Sequence, residues 1–234
     1  MMAGWGSSAT NTATGTVSTS GEDAAGMAGF SGSSLTNAGV ISTTGIGARG
    51  MDVAEGASAT NAATGTITTT SEDAYGMSAI EESYLLNQGR ITTTGLEAIG
   101  MLALMDSSAT NGATGVIAIS GDAASDDFLS AGMAAGMGSS LLNEGRITTS
   151  GNNAAGMAAG TSSSATNAAG GVITTYGAGA FGMAAMVGST ATNYGDITTY
   201  GAGADGMTAD SGSAVFNIGA DSIVTWGDGA HGMS

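Results

Sequence analysis

Paired carboxylates are the first residues in this sequence that could carry chemistry. Glu22-Asp23 and Glu72-Asp73 lie in equivalent places of a repeating pattern, and carboxylate oxygens are typical calcium ligands. The neighbouring coils carry Gly47-Ala48 and Glu97-Ala98 in the same place. The two acidic pairs are therefore two repeats apart, which corresponds to about 9–10 Å at roughly 4.8 Å per stacked β-coil. One ion cannot bridge that distance, and the aspartate–glycine nonapeptide pattern of calcium β-rolls is missing. The sequence therefore predicts no metal site and no cofactor, with calcium binding as an alternative.

A polysaccharide-cleaving site would need clustered carboxylates beside a basic side chain. The chain has three basic residues, Arg49, Arg90 and Arg146, which are isolated from one another in the sequence. The single histidine, His231, has no cysteine or second histidine near it. We predict no catalytic residues, and a polysaccharide-active enzyme is the less favoured alternative.

Threonines suggest a third chemistry. Segments such as Thr92-Thr93-Thr94 are β-branched, and a strand would turn the first and third side chains outward. The equivalent pairs in other repeats are Ser42/Thr44, Thr68/Thr70 and Thr148/Ser150, followed later by Thr174/Tyr176, Thr198/Tyr200 and Val224/Trp226. A flat Thr-x-Thr array resembles the ice-binding face of some β-solenoid antifreeze proteins, so ice binding is the alternative function.

Composition limits the partners. The 234 residues include 42 glycines, no proline and no cysteine, and the formal net charge is -16. Nucleic acids and anionic membrane surfaces both require clustered positive charge, and no apolar run reaches the roughly 18 residues of a membrane span. We predict no nucleic-acid partner, no membrane insertion and no disulfide framework.

A two-residue signature, Gly-Met, returns along the whole chain and marks it as a repeat protein. Two further fixed points, an asparagine and a β-branched residue, follow each methionine. The predicted core ladder is Met27, Met51, Met77, Met101, Met133, Met157, Met183, Met207 and Met233, together with Ile41, Ile67, Ile91, Ile117, Ile147, Ile173 and Ile197. The predicted corner ladder is Asn11, Asn37, Asn61, Asn87, Asn111, Asn143, Asn167, Asn193 and Asn217.

The spacing of these fixed points predicts the fold. Each repeat holds three short β-branched or alternating segments separated by glycine and asparagine, which we expect to supply the positive-φ corners. The class is all-β, a single three-sided parallel β-solenoid over residues 1–234 with nine coils of alternating 26 and 24 residues. In the long coils an extra corner alanine (Ala13, Ala63, Ala113 or Ala169) is expected to fill core space. Stability must come from stacking, because one coil is too small to fold by itself.

One repeat is longer than the others. The extra residues lie within 121–130, and insertions in solenoids leave the stack as surface loops. Asp126, Asp127, Phe128 and Leu129 combine two carboxylates with two apolar side chains. This segment is the predicted contact loop.

The repeat Ser-Ala-Thr-Asn-x-Gly-x-Ile-Thr-Thr-x-Gly-x-x-Ala-x-Gly-Met, seen for instance between Ser189 and Met207, resembles repeats in passenger regions of bacterial autotransporters and related surface adhesins. The resemblance implies a right-handed parallel β-helix that is exported and displayed at the cell surface. It does not identify a ligand, and host or cell-surface molecules are a further class of partner beside other copies of the chain. The signal peptide and the membrane barrel of that family would lie outside this sequence. We therefore expect either a passenger fragment or a stand-alone relative.

The ends of the chain also repeat. Met1 occupies the ladder position, and the chain finishes at Gly232-Met233-Ser234. A nine-coil rod of roughly 43 Å without polar caps would expose unpaired backbone groups at both ends. The sequence therefore predicts a structural, non-enzymatic surface protein that stacks head to tail into a fibre through Met1, Met2, Gly232, Met233 and Ser234.

Overall fold

Each repeat forms one coil of three short β-strands in the computed structural model, which describes residues 1–124, 130–210, 212–219 and 222–234. The 27 strands, numbered β1–β27 along the chain, form three parallel sheets of nine strands. Each inner strand pairs with the equivalent strands of the coils before and after it, and the strands of the first and last coils each have one partner strand. The described residues contain no helix, and so none that could span a membrane. The predicted all-β, three-sided parallel β-solenoid is confirmed.

The methionine sheet carries the Gly-Met signature. Met77 pairs with Met51 on one side and with Met101 on the other. Its strands are β1 (Met2–Ala3), β4 (Ala25–Gly29), β7 (Arg49–Val53), β10 (Tyr75–Ala79), β13 (Ile99–Leu104), β16 (Ala131–Gly136), β19 (Ala155–Ala159), β22 (Met183–Ala185) and β25 (Met207–Ala209).

The asparagine sheet follows in each coil and ends on the corner asparagine. Asn87 pairs with Asn61 and Asn111. Its strands are β2 (Ser8–Asn11), β5 (Ser34–Asn37), β8 (Ser58–Asn61), β11 (Tyr84–Asn87), β14 (Ser108–Asn111), β17 (Ser140–Asn143), β20 (Ser164–Asn167), β23 (Thr190–Asn193) and β26 (Ala214–Asn217).

The isoleucine sheet closes the coil. Ile91 pairs with Ile67 and Ile117. Its strands are β3 (Thr16–Thr19), β6 (Val40–Thr43), β9 (Thr66–Thr69), β12 (Arg90–Thr93), β15 (Val116–Ile119), β18 (Arg146–Thr149), β21 (Val172–Thr175), β24 (Asp196–Thr199) and β27 (Ile223–Thr225).

The core lies on the axis between the three sheets. The ladder methionines from Met27 to Met207 and the ladder isoleucines from Ile41 to Ile197 have no exposed surface. Each such side chain contributes roughly 1.5–3 kcal/mol when it is fully buried. Met233, in the last coil, is half exposed.

The glycine of each Gly-Met pair from Gly26 to Gly206 faces the core rather than solvent. A Cβ added to Gly76 would lie 2.6 Å from the carbonyl oxygen of Gly100 and even closer to Cγ2 of Ile91. The same clash with an isoleucine recurs in the other coils, for instance at Gly50 and Gly156. Glycine is therefore required where the methionine and isoleucine sheets come close together.

Glycine supplies positive φ at many corners, as predicted, but the roles predicted there for the ladder asparagines and for the extra alanines are wrong. The corner after the methionine sheet places two successive residues at positive φ, and these include Glu81 (56°) and Glu82 (59°) as well as glycines. The ladder asparagines lie instead at strand ends, where they act through their side chains. The extra alanines at positions 13, 63, 113 and 169 are exposed and fill no core space. Leu35 is accommodated by Gly29, since a Cβ there would come within 3.1 Å of the Leu35 Cγ.

The threonine two residues after a ladder isoleucine points inward in every coil from Ile41 to Ile197 except that of Ile117. Thr93 Oγ1 is buried and has no hydrogen-bond partner among the described residues, whereas Thr149 Oγ1 donates to the Ala154 carbonyl at 3.1 Å. Ile119 occupies the same inward position in the coil after Thr93. This position therefore accepts an apolar side chain.

Gly76→Ala should lower the free energy of unfolding by about 1–3 kcal/mol, because the added methyl group overpacks the contact with Ile91. Gly160→Ala is the control, since a Cβ there meets the Ala135 oxygen at an ordinary 3.5 Å. The control should stay within about 1 kcal/mol of the parent in urea unfolding. Equal effects of the two substitutions would contradict the close-packing role of Gly76.

Thr93→Val should leave the stability unchanged or raise it by up to about 1 kcal/mol, because it removes a buried hydroxyl that has no partner. Thr149→Val should instead lower the stability by about 1 kcal/mol, since it leaves the Ala154 carbonyl without its donor. Thermal unfolding of both variants measures the difference. Destabilisation by Thr93→Val as large as that by Thr149→Val would show that the Thr93 hydroxyl is satisfied.

Candidate functional site

The corner asparagines form a directional hydrogen-bonded ladder. Each Nδ2 donates to the Oδ1 of the asparagine in the next coil at 2.7–2.8 Å, in eight links from Asn11 to Asn217. Asn61 Nδ2 also approaches the Gly65 carbonyl at 3.3 Å, and Asn87 Nδ2 approaches the Gly89 carbonyl at 3.2 Å. These asparagines are buried except for Asn217, which is exposed. Their amides hold coils together rather than face a ligand.

The basic residues stay apart in the fold. Arg90 and Arg146 occupy the same outward position of the isoleucine sheet, with Val116 between them. Arg49 lies on the methionine sheet, where its guanidinium is 3.7 Å from Asp52 and 5.7 Å from the centre of the Tyr75 ring. Within the described part of the chain, no three His, Asp or Glu side chains form a group that could hold a metal ion.

His231 secures the last coil. Its backbone N–H donates to Asp205 Oδ1 at 2.7 Å, and its ring Nδ1 lies 3.3 Å from the same oxygen. Burial alone would raise the pKa of Asp205, but hydrogen bonds from Ser234 and from the backbone and ring of His231 lower that pKa overall. The Asp205–His231 pair holds the corner of the last coil in place. Its contacts stabilise the backbone there rather than line an open cleft.

In the acidic corner before the methionine sheet, the structure shifts the predicted alignment of neighbouring coils by one residue. Asp73 and Glu97, and not Glu72 and Glu97, occupy equivalent positions, because the N–H of Asp73 bonds the Leu96 carbonyl. Partial burial and the negative charges of Asp73 and Glu72 raise the pKa of Glu97. The other pair, Glu22-Asp23, is separated from Asp73 by the coil that carries Gly47. The carboxylates of Asp73 and Glu97 therefore lie in adjacent coils.

The outer face of the isoleucine sheet changes character along the rod. Thr68, Thr92 and Thr148 face outward as predicted, but Ala118 interrupts the column between the last two. Further along, Tyr176 and Tyr200 stack with ring centres 5.0 Å apart and nearly parallel planes, and Trp226 follows in the next coil. Ice binding by the threonines stays a prediction.

The outer face of the methionine sheet contains a groove that was not predicted from the sequence. Its volume is about 210 Å³, and its lining is Arg49, Asp52, Tyr75, Ser78, Ile80, Leu102 and Leu104. A larger open groove of about 410 Å³ occupies the adjoining corner and is lined by Glu55, Gly56, Glu81, Glu82, Met105 and Asp106. The sequence feature that could have indicated this groove is the pair Leu102 and Leu104. Both leucines alternate with the inward residues of their strand, so both face outward.

The sequence predicts two other contact regions, a loop and the chain ends. Asp126, Asp127, Phe128 and Leu129 lie outside the described residues. The flanking Ser130 is buried, and its hydroxyl bonds the carbonyls of Ala98 and Gly121. Met1 and Met2 lie in the first coil, while Gly232, Met233 and Ser234 lie in the last, so one chain does not bring them together.

Comparison with known proteins gives two similarities. The family described as the BigA third pectate lyase-like domain matches residues 46–171 and 154–219. The cryo-EM structure of the Vag8–C1 inhibitor complex matches with a TM-score of 0.72 and 20% sequence identity, over 97% of this chain and 60% of that chain. This likeness shows a shared fold, and the chain spans 60% of the length of its structural relative. No curated protein matches. The predicted resemblance to autotransporter-type β-solenoids is confirmed.

Asp73→Asn should lower the pKa of Glu97 toward its ordinary value, because it removes one of the negative charges that oppose ionisation. In the parent the native state holds its Glu97 proton at higher pH than the unfolded chain. Ionised Glu97 therefore opposes folding at neutral pH, and stability rises as the pH falls through its raised pKa. An NMR titration of the Glu97 carboxyl measures the shift, with Glu144→Gln as the control. An unchanged Glu97 pKa in Asp73→Asn would rule out this repulsion.

Proposed function

The chain belongs to the family of the BigA third pectate lyase-like domain, and we propose that it serves as a non-catalytic, adhesin-like structural rod displayed outside a bacterial cell. The observation that carries the proposal is the unbroken stack of three nine-stranded sheets. Such a stack is a rigid scaffold that holds outward side chains at fixed spacing. The likeness of its fold to an autotransporter passenger supports the extracellular location.

The charge distribution supports a non-catalytic role despite the lyase-like wording of the family description. Cleavage of an acidic polysaccharide requires basic side chains beside the substrate carboxylates. Arg90 and Arg146 are single cations on a rod of net charge -16, and Arg49 is already engaged with Asp52. An anionic polymer would therefore be repelled along most of the surface.

The polarity of the asparagine ladder supports end-to-end association of copies of this chain. Every Nδ2 donates toward the following coil, so a ninth link requires an asparagine oxygen beyond Asn217. The Asn11 side chain of a second copy would supply one. Apolar side chains are exposed at both ends of the rod, with Met2 (77%) and Trp5 (91%) at one and Trp226 (68%) at the other. Burying these side chains would add to the backbone pairing.

The contact between the last coil of one copy and the first coil of the next, here called the joint, would differ from the contacts between coils inside the rod. Within the chain, a coil with a long asparagine corner always adjoins coils with short ones, whereas Asn217 and Asn11 both begin long corners. The glycine of a short corner packs against carbonyls of the long corner before it, as Gly39 does against Gly15 and Thr12. That fit would be missing at the joint, so we expect reversible association.

A charge pair across the joint tests this association. Ser18 and Val224 occupy the same outward column in the first and last coils, and would be neighbours in the joint. Two aspartates about 4.8 Å apart repel by roughly 1 kcal/mol in water. Ser18→Asp with Val224→Asp should therefore weaken association about five-fold or more in sedimentation velocity.

The matched control replaces one of the two charges. Ser18→Lys with Val224→Asp should associate at least as strongly as the parent, since the pair is then attractive. Ser42→Asp, in the same column but inside the rod, should leave association unchanged. A parent that sediments as a monomer at every concentration would refute the end-to-end proposal.

A further inference from the structure

The outer face of the methionine sheet between the third and fifth coils is an amphipathic grid. Three columns of outward side chains cross it in register, namely Arg49/Tyr75/Ile99, Asp52/Ser78/Leu102 and Ala54/Ile80/Leu104. Ile80, Leu102 and Leu104 are part-exposed and form one wall of the 210 Å³ groove. Part-exposed leucine and isoleucine side chains that lie side by side on the outer face of a sheet indicate a contact surface.

Carboxylates border this groove on both sides of the sheet. On the side that precedes the strands, Glu72, Asp73 and Glu97 form the first rim. On the side that follows the strands, the second rim consists of Glu55, Glu81, Glu82 and Asp106, which line the 410 Å³ corner groove. Asp73 and Glu81 are eight residues apart along one coil, so the rims are separated by at most about 29 Å.

The polar residues of the groove are largely neutralised among themselves. Asp52 contacts Arg49 and accepts a hydrogen bond from the Ser78 hydroxyl. Arg49 also lies over the Tyr75 ring. The unbalanced charge therefore resides in the two rims, which are both negative and which flank an apolar centre.

We infer that this face binds a basic polypeptide segment of a partner protein, with apolar side chains in the groove and lysine or arginine side chains at the two rims. Charge complementarity selects this occupant, because seven rim carboxylates would meet the cations while Ile80, Leu102 and Leu104 would cover the apolar centre. An extended segment of about eight residues spans the distance between the rims at roughly 3.3 Å per residue. The inference rests on the proposed function in one respect only, namely that the surface of the rod is accessible to other proteins.

The position of the face suits this role. It lies in the interior of the rod, so stacking at the ends would leave it open. Glu97 is disfavoured in its ionised form by Asp73 and Glu72, and a bound cation would relieve that repulsion. Binding should therefore weaken as salt is added, because the rim charges are exposed.

The test uses fluorescence anisotropy with a labelled peptide of two arginines at each end and alternating leucine and serine between them. Glu81→Gln with Glu82→Gln should weaken binding at least five-fold. Leu104→Ser should weaken it comparably, since it removes part of the apolar wall. The matched control, Glu144→Gln with Asp228→Asn, removes the same charge from exposed carboxylates elsewhere and should change affinity less than two-fold. Circular dichroism verifies that each variant keeps its β-structure.

Three outcomes would overturn the inference. The control variant could weaken binding as much as the rim variant, or a peptide with serine at every leucine position could bind equally well. Either result would indicate attraction to net charge alone. An absence of saturable binding at millimolar peptide would also refute it. All measurements use the Ser18→Asp, Val224→Asp chain as well, so a failure of end-to-end association is distinguished from a failure of this groove.

Discussion

Hydrogen bonding between successive coils is the constraint on which the rest of the structure depends. Each strand finds its partners in the coils before and after it, so the coils must keep a common path around the axis. A common path places equivalent side chains directly above one another, as for Met77 between Met51 and Met101. The inward residues must then pack against their own kind. Methionine and isoleucine suit this arrangement because they fill a column without a polar group that needs a partner.

Much of this could be predicted because the constraint leaves a period in the sequence. The columns of Met77, Asn87 and Ile91 are spaced by coil length, and strand alternation then assigns their neighbours to the core or to solvent. The corners could not be predicted in the same way. Positive φ at Glu81 and Glu82 follows from how the coil closes in three dimensions, and it overrides the preference for glycine or asparagine there. The core role predicted for the extra alanines was wrong for a similar reason, because the longer corner bends outward and exposes them.

The candidate binding face was harder to foresee because it has no period. Its residues change from coil to coil, from Asp52 to Ser78 to Leu102 in a single column. A repeat alignment treats such changes as noise, although on a solenoid they are the part of the sequence that is free to encode contacts. The acidic rims became clear only when the register showed Asp73 and Glu97 in adjacent coils. An alignment that is wrong by one residue at a corner is enough to hide such a cluster.

The inward column that contains Ile119 also bears on how the chain reaches its native state. Coils that are nearly identical are nearly interchangeable, so a partly folded chain could stack a coil on the wrong neighbour at little energetic penalty. An irregular coil removes that degeneracy. Ile119 stands in a column of threonines, and Tyr176 stacks on Tyr200 in only one arrangement of the coils. Side chains that break the repeat thus distinguish one coil from another. The correct stacking order of the coils during folding therefore depends on the least regular residues of the rod.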